Sequence, residues 1–414
     1  MPNRATDPII SGMGFVGPDI VGTDELARRL EESESLQLVD AEEPVPSMAE
    51  SGFRDSIEKL CASSEAAGRA ACTGRRLSTP LRATLVAALE AWGTVELNTK
   101  LDRVGCIVAA NNHQDSTLEA LIRQDAVSPQ IVTPGRRLSR LDPWILGLLS
   151  RALGFRGYGS VIGTQSAASN SAVAVAVAMI RAGLLDYCLV VAPAFEPSES
   201  FLAMCSNLGI LSRVTDSGPI RPFDNSHAGT VPVPLAAAVM ISNPAMEPRG
   251  GIRLSGVGGC QHPTTGAEPD LEAEIITMKL ALADAGIGPE DIDYVNAHAT
   301  GTPQGDSCEA SALRNLFGRR QMPPVINATK ALLGHGFNAA GLVGIVASAL
   351  QINNGFLHST PGLTSPIEEF SWAPKSTVRH GVVSHALCNT FAFFGVNASV
   401  VLSAPDTTEN GYVS

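Results

Sequence analysis

Short apolar runs, each followed by a helical pattern, constrain this chain more than any other feature. Residues 8–15, 104–110, 186–192 and 234–242 read as strands in the first part of the sequence. A composition change comes near Asn243 and Pro244, and the pattern begins again at 252–257, 292–297, 382–386 and 398–402. Runs that stay apolar without alternation belong to strands buried on both faces. Helical patterns lie between them. One begins at Thr23, with Asp24 and Glu25 in its first turn and Leu26 and Leu30 on one face. Others cover 80–92, 167–182, 271–285 and 339–353. Strand–helix alternation that starts twice predicts an α/β chain of two similar halves, 1–243 and 244–414, each with a parallel-rich sheet. Residues 37–75 are charged and contain proline, and 130–160 read as loop and helix.

Composition bounds the function. The 414 residues suffice for two domains or one large double core. Apolar residues make up 44% and aromatics only 5%, so Ala, Val, Leu and Gly must build the interior. A net charge of −12 argues against nucleic acid as a partner. No apolar run reaches the roughly 18 residues of a membrane span; the longest is 172–180. Residues 1–7 are polar and lack the apolar core of a signal peptide. The eight cysteines are scattered, with no Cys-x-x-Cys pair and no histidine cluster, so no metal is expected. Cys106, Cys188 and Cys388 sit in apolar surroundings and read as buried reduced thiols. A cytoplasmic location is the expectation.

Two stretches carry the chemistry. Residues 296–309 read Asn-Ala-His-Ala-Thr-Gly-Thr-Pro-Gln-Gly-Asp-Ser-Cys-Glu, and 327–341 read Asn-Ala-Thr-Lys-Ala-Leu-Leu-Gly-His-Gly-Phe-Asn-Ala-Ala-Gly. They place His298, Lys330 and His335 on turns that follow buried strands. Two neutral imidazoles can donate to one carbonyl oxygen and stabilise an enolate. Lys330 can hold the histidine geometry, together with Glu309. Ser166, in Gly163-Thr164-Gln165-Ser166-Ala167-Ala168-Ser169, opens a helix of small residues. There it serves either as a cap or as a hydroxyl facing free N–H groups. A further motif, Asn389-Thr390-Phe391-Ala392-Phe393-Phe394-Gly395-Val396-Asn397, lies near the end of the chain.

These motifs resemble those of the β-ketoacyl synthases, the condensing enzymes of fatty-acid and polyketide synthesis. The resemblance covers nearly the whole chain and implies a thiolase-like five-layer α-β-α-β-α fold of two pseudo-duplicated halves, usually dimeric. It puts Ser166 where the family carries its cysteine nucleophile. It implies catalytic roles for Ser166, His298, His335 and Lys330, with Glu309 and Asp306 in support. Phe393 becomes a gate whose N–H, with that of Ser166, forms an oxyanion hole. Thr300, Thr302, Thr230 and Phe391 become substrate-binding residues, the two threonines of 300 and 302 on a pantetheine arm. Substrate would arrive on the phosphopantetheine of an acyl carrier protein or on coenzyme A, so no bound cofactor is expected. Carrier proteins are acidic, so a carrier dock would need a local basic cluster such as Arg136, Arg137 and Arg140, which otherwise read as a solvated loop or helix face. The partner is a second copy or a second ketosynthase.

The chain also departs from the family. Ala392 and Phe394 replace two glycines of the gate loop, which is expected to stiffen it or change its path. After Arg221-Pro222-Phe223-Asp224 the family pattern gives way to His227-Ala228-Gly229-Thr230, and Thr230 replaces an aromatic that lines the acyl pocket. A serine hydroxyl is far more basic than a thiol and needs a proton acceptor. The first functional expectation is therefore a ketosynthase-like acyltransferase, with Ser166 acylated and a histidine assisting. The alternatives are a non-catalytic partner of the chain-length-factor kind, a starter-unit decarboxylase using His298 and His335 alone, and a β-ketoacyl synthase whose cysteine was changed to serine. Ser166 is expected within hydrogen-bonding reach of His298 or His335. A dimer is expected, with the 167–178 helix near its interface.

Overall fold

Strands that are apolar on both faces need cover on both faces, and the fold supplies it. The structure is a computed structural model that describes residues 7–36, 45–60, 65–74, 76–127, 134–212, 220–246, 251–373 and 377–405. Its main sheet strands are β1 (Ile9–Val16), β2 (Val104–Ala109), β3 (Gly159–Ile162), β4 (Tyr187–Ala192), β5 (Ala236–Ser242), β6 (Ile252–Gln261), β7 (Tyr294–Asn296), β8 (Val325–Asn327), β9 (His385–Phe391) and β10 (Val396–Ser403). Their spatial order is β3-β2-β4-β5-β1-β6-β10-β9-β7-β8. Each half follows one rule. Its first strand lies at the centre of the order, its fifth and fourth come next, and its second and third run to the edge. The halves meet where β1 pairs with β6 at Ile9–Arg253 and Ile10–Ile252.

The repeat is visible in sequence once the strands are superposed in the mind. β1 contains Ser11-Gly12-Met13-Gly14 and β6 contains Ser255-Gly256-Val257-Gly258. The glycines serve close approach. A Cβ on Gly14 would stand 1.9 Å from the carbonyl oxygen of Ala87 in helix α1 (Thr79–Gly93). A Cβ on Gly256 would stand 2.2 Å from that of Ala281 in helix α4 (Leu271–Ala285). Each half thus lays a helix directly on the backbone of its first strand.

Side-chain alternation sorts the layers. From β2, Ile107 and Ala109 join a central core, while Val104, Cys106 and Val108 join an outer one. β4 and β5 divide in the same way. The central core holds helices α3 (Ala168–Arg181) and α6 (Ala340–Asn354) between the two halves. The first outer core holds α1 and α2 (Asp142–Leu153). A second outer core, against β7 and β9, holds α4 and α5 (Pro303–Phe317). This is the five-layer α-β-α-β-α arrangement that the resemblance implies. Small residues let α3 approach α6: a Cβ on Gly341 would lie 2.4 Å from Asn170 Oδ1. Asn170 Nδ2 in turn donates to the carbonyls of Cys388 and Ala398, at 3.1 and 3.2 Å, and so ties the first half to the second. The small side chains of α3 therefore serve packing within one chain.

Several expectations need correction. The sheet of each half is mixed, with two parallel and two antiparallel pairings. β9 and β10 are joined by a short turn, which forces them antiparallel. The strand expected at 382–386 starts at His385, and Val382 is 91% exposed. β3, β8 and α5 were not anticipated: two are very short strands, and α5 begins inside the stretch read as an active-site turn. Part of 37–75 forms helices, Glu50–Leu60 and Glu65–Gly74, while 37–44 lie outside the described residues. Cys106, Cys188 and Cys388 are buried, and burial pushes the Cys188 and Cys388 thiols up to about 12. Among the described residues no helix is long and apolar enough to cross a membrane.

Candidate active site

The two histidine turns are built on neighbouring strands. β7 and β8 run parallel and end together, Asn296 opposite Asn327. Ala297 N–H donates to the Asn327 carbonyl, and Asn296 Nδ2 donates to Thr329 Oγ1 at 2.6 Å, so the second turn is locked to the first. Thr329 Oγ1 also meets His358 Nε2 at 3.0 Å. Beyond β7, Glu309 of α5 accepts the N–H of His298 at 2.8 Å and that of Ala299 at 2.7 Å. Asp306, fully buried, accepts the N–H of Phe223 at 2.8 Å and of Gly301 at 3.0 Å, and meets His227 Nδ1 at 3.1 Å. Both acidic residues thus fix loop backbone.

Lys330 Nζ donates to the carbonyl oxygen of His298. His335 is placed from the other side. Its N–H donates to Val231 and its carbonyl accepts from Val233, which brings the 230–233 segment alongside. Sequence reasoning missed Phe337, which stacks on His335 at 4.7 Å between centroids. Phe391 meets His298 edge-on at 5.9 Å, the same separation as between the two imidazoles.

Ser166 sits in the single turn Gln165–Ala167 that leads into α3. Gln165 holds a left-handed φ of 51°, a conformation costly for a side chain with a Cβ. That turn delivers the Ser166 hydroxyl to 3.2 Å from His335 Nε2. Ser166, His298, His335, Thr230, Thr300, Thr302, Phe391 and Phe393 all line one cavity of about 470 Å³. Thr300 and Thr302 stand 2.9 Å apart, hydroxyl to hydroxyl. The Thr230 hydroxyl is buried without a partner among the described residues. The gate loop keeps a glycine-like path despite its substitutions: Phe394 takes φ 62° and ψ 21°, and its N–H donates to Gly266 at 2.8 Å. Arg137 pairs with Asp125 at 3.7 Å and Arg140 with Gln114, while the Arg136 side chain lies outside the described residues.

Burial sets the electrostatics. It pushes both imidazoles well below the usual histidine range, and the nearby Lys330 charge acts in the same direction. It pushes the Glu309 carboxyl up and the Lys330 ammonium down, each toward neutrality, while the donated backbone N–H groups and the opposite charge resist. Nδ1 of both His298 and His335 is buried with no partner among the described residues. A buried unpaired N–H is rarer than a buried unpaired lone pair, so each ring places its hydrogen on Nε2. Two neutral donors then face the cavity. Among the described residues no cluster of three or more His, Cys, Asp or Glu side chains stands at metal-holding distance.

Comparison with known proteins agrees with this arrangement. Residues 9–243 match the family described as beta-ketoacyl synthase, N-terminal domain, and residues 250–364 its C-terminal domain. The chain is 30% identical over 342 residues to a Bacillus subtilis protein named polyketide biosynthesis malonyl-ACP decarboxylase PksF, covering 79% of this chain and 80% of that one. A beta-ketoacyl synthase from Burkholderia phymatum superposes with a TM-score of 0.81 at 21% identity, covering 96% of this chain and 99% of that one. A ketosynthase chain from the AntDE:AntF complex, a type II acyl-carrier protein with its ketosynthase, superposes with a TM-score of 0.79 at 20% identity and the same coverage. The thiolase-like fold, the paired histidine turns and the matched span lead to one conclusion: the chain belongs to the β-ketoacyl synthase family.

Proposed function

We propose that this protein decarboxylates a malonyl thioester carried on the phosphopantetheine of an acyl carrier protein, releasing the acetyl thioester and carbon dioxide. One observation carries the reading: both imidazoles are buried, neither has a partner on Nδ1 among the described residues, and burial with the Lys330 charge lowers both below the usual histidine range. A serine nucleophile needs a base strong enough to take its proton. His335 has no acceptor on Nδ1 to hold it as a base, and burial together with Lys330 lowers its basicity. With its hydrogen on Nε2 it donates to Ser166 Oγ rather than accepting from it. Enolate stabilisation asks the opposite of an imidazole, a neutral N–H donor in a site closed to water. The Bacillus subtilis relative, named a malonyl-ACP decarboxylase, supports the same chemistry.

The mechanism follows from the groups present. The malonyl arm enters past Thr300 and Thr302, and its thioester oxygen is taken by the Nε2–H groups of His298 and His335. The bond to the carboxylate breaks, its electron pair moves into the enolate, and carbon dioxide leaves. A cysteine would hold an acyl group for the enolate carbon to attack. Ser166 holds none, so the enolate is protonated instead.

The test is incubation with malonyl-loaded carrier protein, following carbon dioxide and the mass of both proteins. The expected result is acetyl carrier with no adduct on the enzyme. Ser166→Ala should stay within about tenfold of wild type, while His298→Ala and His335→Ala each lose about 10²- to 10³-fold. The 3.2 Å contact between Ser166 and His335 favours the acyltransferase reading as the second choice. A stable acyl mass on the wild type that Ser166→Ala abolishes, without carbon dioxide, would install it. Neither product would leave the partner-subunit reading.

A further inference from the structure

The site contains a buried acid that the mechanism above does not use. Glu274 stands in the first turn of α4, is 1% exposed, and lines the cavity shared by Ser166, His298 and His335. Its Oε2 is buried without a partner among the described residues. The Cys308 thiol of α5 stands in hydrogen-bonding contact with its carboxyl group. One turn further along α4, Met278 accepts a contact from Asn389 Nδ2, and that amide also reaches Glu309, the support of His298. Burial, reinforced by the charges of Glu309 and Asp270, pushes the Glu274 carboxyl well above the usual range. A carboxyl so placed favours its protonated form, and its Oε2 has no acceptor among the described residues.

Decarboxylation consumes a proton. Three other titratable groups that line the cavity, His298, His335 and Glu268, are poor sources. His298 and His335 are held neutral. Glu268 is held below the usual carboxylate range by its own backbone N–H and Thr264. His262 and Asp270 stand 3.5 Å apart, each nearly a third exposed to solvent. Lys330, outside that lining, directs its ammonium to the His298 carbonyl.

We infer that Glu274 is a catalytic acid that delivers the proton quenching the enolate carbon, an inference that rests on the decarboxylation reading. The O–H bond of Glu274 breaks as the new C–H bond of the acetyl methyl forms. The enolate electron pair makes that bond and the thioester carbonyl is restored. Glu274 regains its proton from solvent at the cavity mouth before the next turnover.

The test uses the full chain and malonyl-loaded carrier protein. Glu274→Gln keeps the shape and lacks the acidic proton. It should lower kcat for carbon dioxide release by about 10²- to 10⁴-fold while KM stays within a few-fold. Glu274→Ala should fall as far and regain activity with added formic acid buffer but not with formamide. Wild-type kcat in either variant overturns the inference, as does equal rescue by formamide, which would mark a space-filling role. If Glu274→Gln does not fold, the alanine variant and its rescue decide. Failure of the wild type to release carbon dioxide sinks the decarboxylation reading itself; release by both wild type and Glu274→Gln at one rate sinks only the role of Glu274.

Discussion

Lys330 makes no hydrogen bond to an imidazole among the described residues. Its ammonium donates to the main-chain carbonyl of His298, and Glu309 accepts the N–H of the same residue. The histidine is therefore gripped at both ends of its backbone by two buried, oppositely charged groups, and its ring is left free to face the cavity. Removing one member leaves the other charge buried alone, which costs about 3–5 kcal/mol. Lys330→Met and Glu309→Gln should each lower stability on that scale in denaturant unfolding. The double variant should lose less than the sum, because the residual charge is gone. Each single variant should also lower decarboxylation by up to about 10²-fold, the usual cost of misplacing a group by about an ångström. Additive losses in the double variant would show that the two residues act independently.

The neutral imidazoles give a second expectation. In protein labelled with ¹⁵N at its eight histidines, the signals of His298 and His335 should stay those of neutral, Nε2-protonated rings as pH falls through about 6.5, where exposed histidines titrate. His358, pushed to about 4 by burial, should also stay neutral, but with its hydrogen on Nδ1, which donates to the Ser359 carbonyl at 2.7 Å. The sign for stability follows. The folded state refuses protons that the unfolded chain accepts below about 6.5, so stability is lost as pH falls from there toward the folded values. Either active-site ring titrating near 6.5, or carrying its hydrogen on Nδ1, would remove the basis for a two-donor site.

How much of this was legible in the sequence depends on the distance over which each signal acts. His298, Lys330 and His335 were readable because they lie in two compact motifs at the ends of adjacent strands. The place of Ser166 was read by counting back from Gly183 and Asp186, and the structure sets its hydroxyl 3.2 Å from His335 Nε2. Phe337 and Glu274 were not readable. Phe337 becomes part of the site by stacking across a turn, and Glu274 looks like any charged residue in the first turn of an amphipathic helix. Ala392 and Phe394 were expected to stiffen the gate loop or change its path; Phe394 takes a left-handed backbone there, with φ 62°. Neighbouring hydrogen bonds, from Phe394 N–H to Gly266 and from Gln261 to the Phe394 carbonyl, hold it there. The two halves were legible from the strand–helix alternation, but the repeat within their sequences was not, because Ser-Gly-x-Gly is short and its meaning lies in helices that begin 70 residues after the start of β1 and 19 after that of β6.

That repeat can be tested directly. Gly14→Ala and Gly256→Ala both push a methyl into a helix backbone that has no flexible end to yield. Each should lower stability by about 1–3 kcal/mol or more, with matching effects in the two halves. Gly147, inside α2, has nothing within 4 Å of its added Cβ. Gly147→Ala should instead stabilise by up to about 1 kcal/mol through helix propensity. Tolerance of Gly14→Ala together with loss at Gly147 would mean that β1 and α1 do not pack as described.

Ser166→Cys tests the expectation that position 166 is where the family carries its cysteine nucleophile. The substituted thiol would stand beside His335 Nε2 and one short turn before α3, fourteen residues long, whose N-terminal N–H groups favour a thiolate. It would not need a strong base, since a thiol ionises far more readily than a hydroxyl. The variant should take an acyl group from an acyl thioester as a labile adduct that neutral hydroxylamine removes. Given malonyl carrier as well, it should form some β-ketoacyl product, because His298 and His335 already generate the enolate next to the new acyl group. The wild type should form neither. If Ser166→Cys is acylated but never condenses, the fault lies in the gate loop, and restoring glycine at 392 and 394 should recover the product. If it is not acylated at all, the cavity does not present the thioester carbon to position 166, and the serine is then a wall of the site and not a silenced nucleophile.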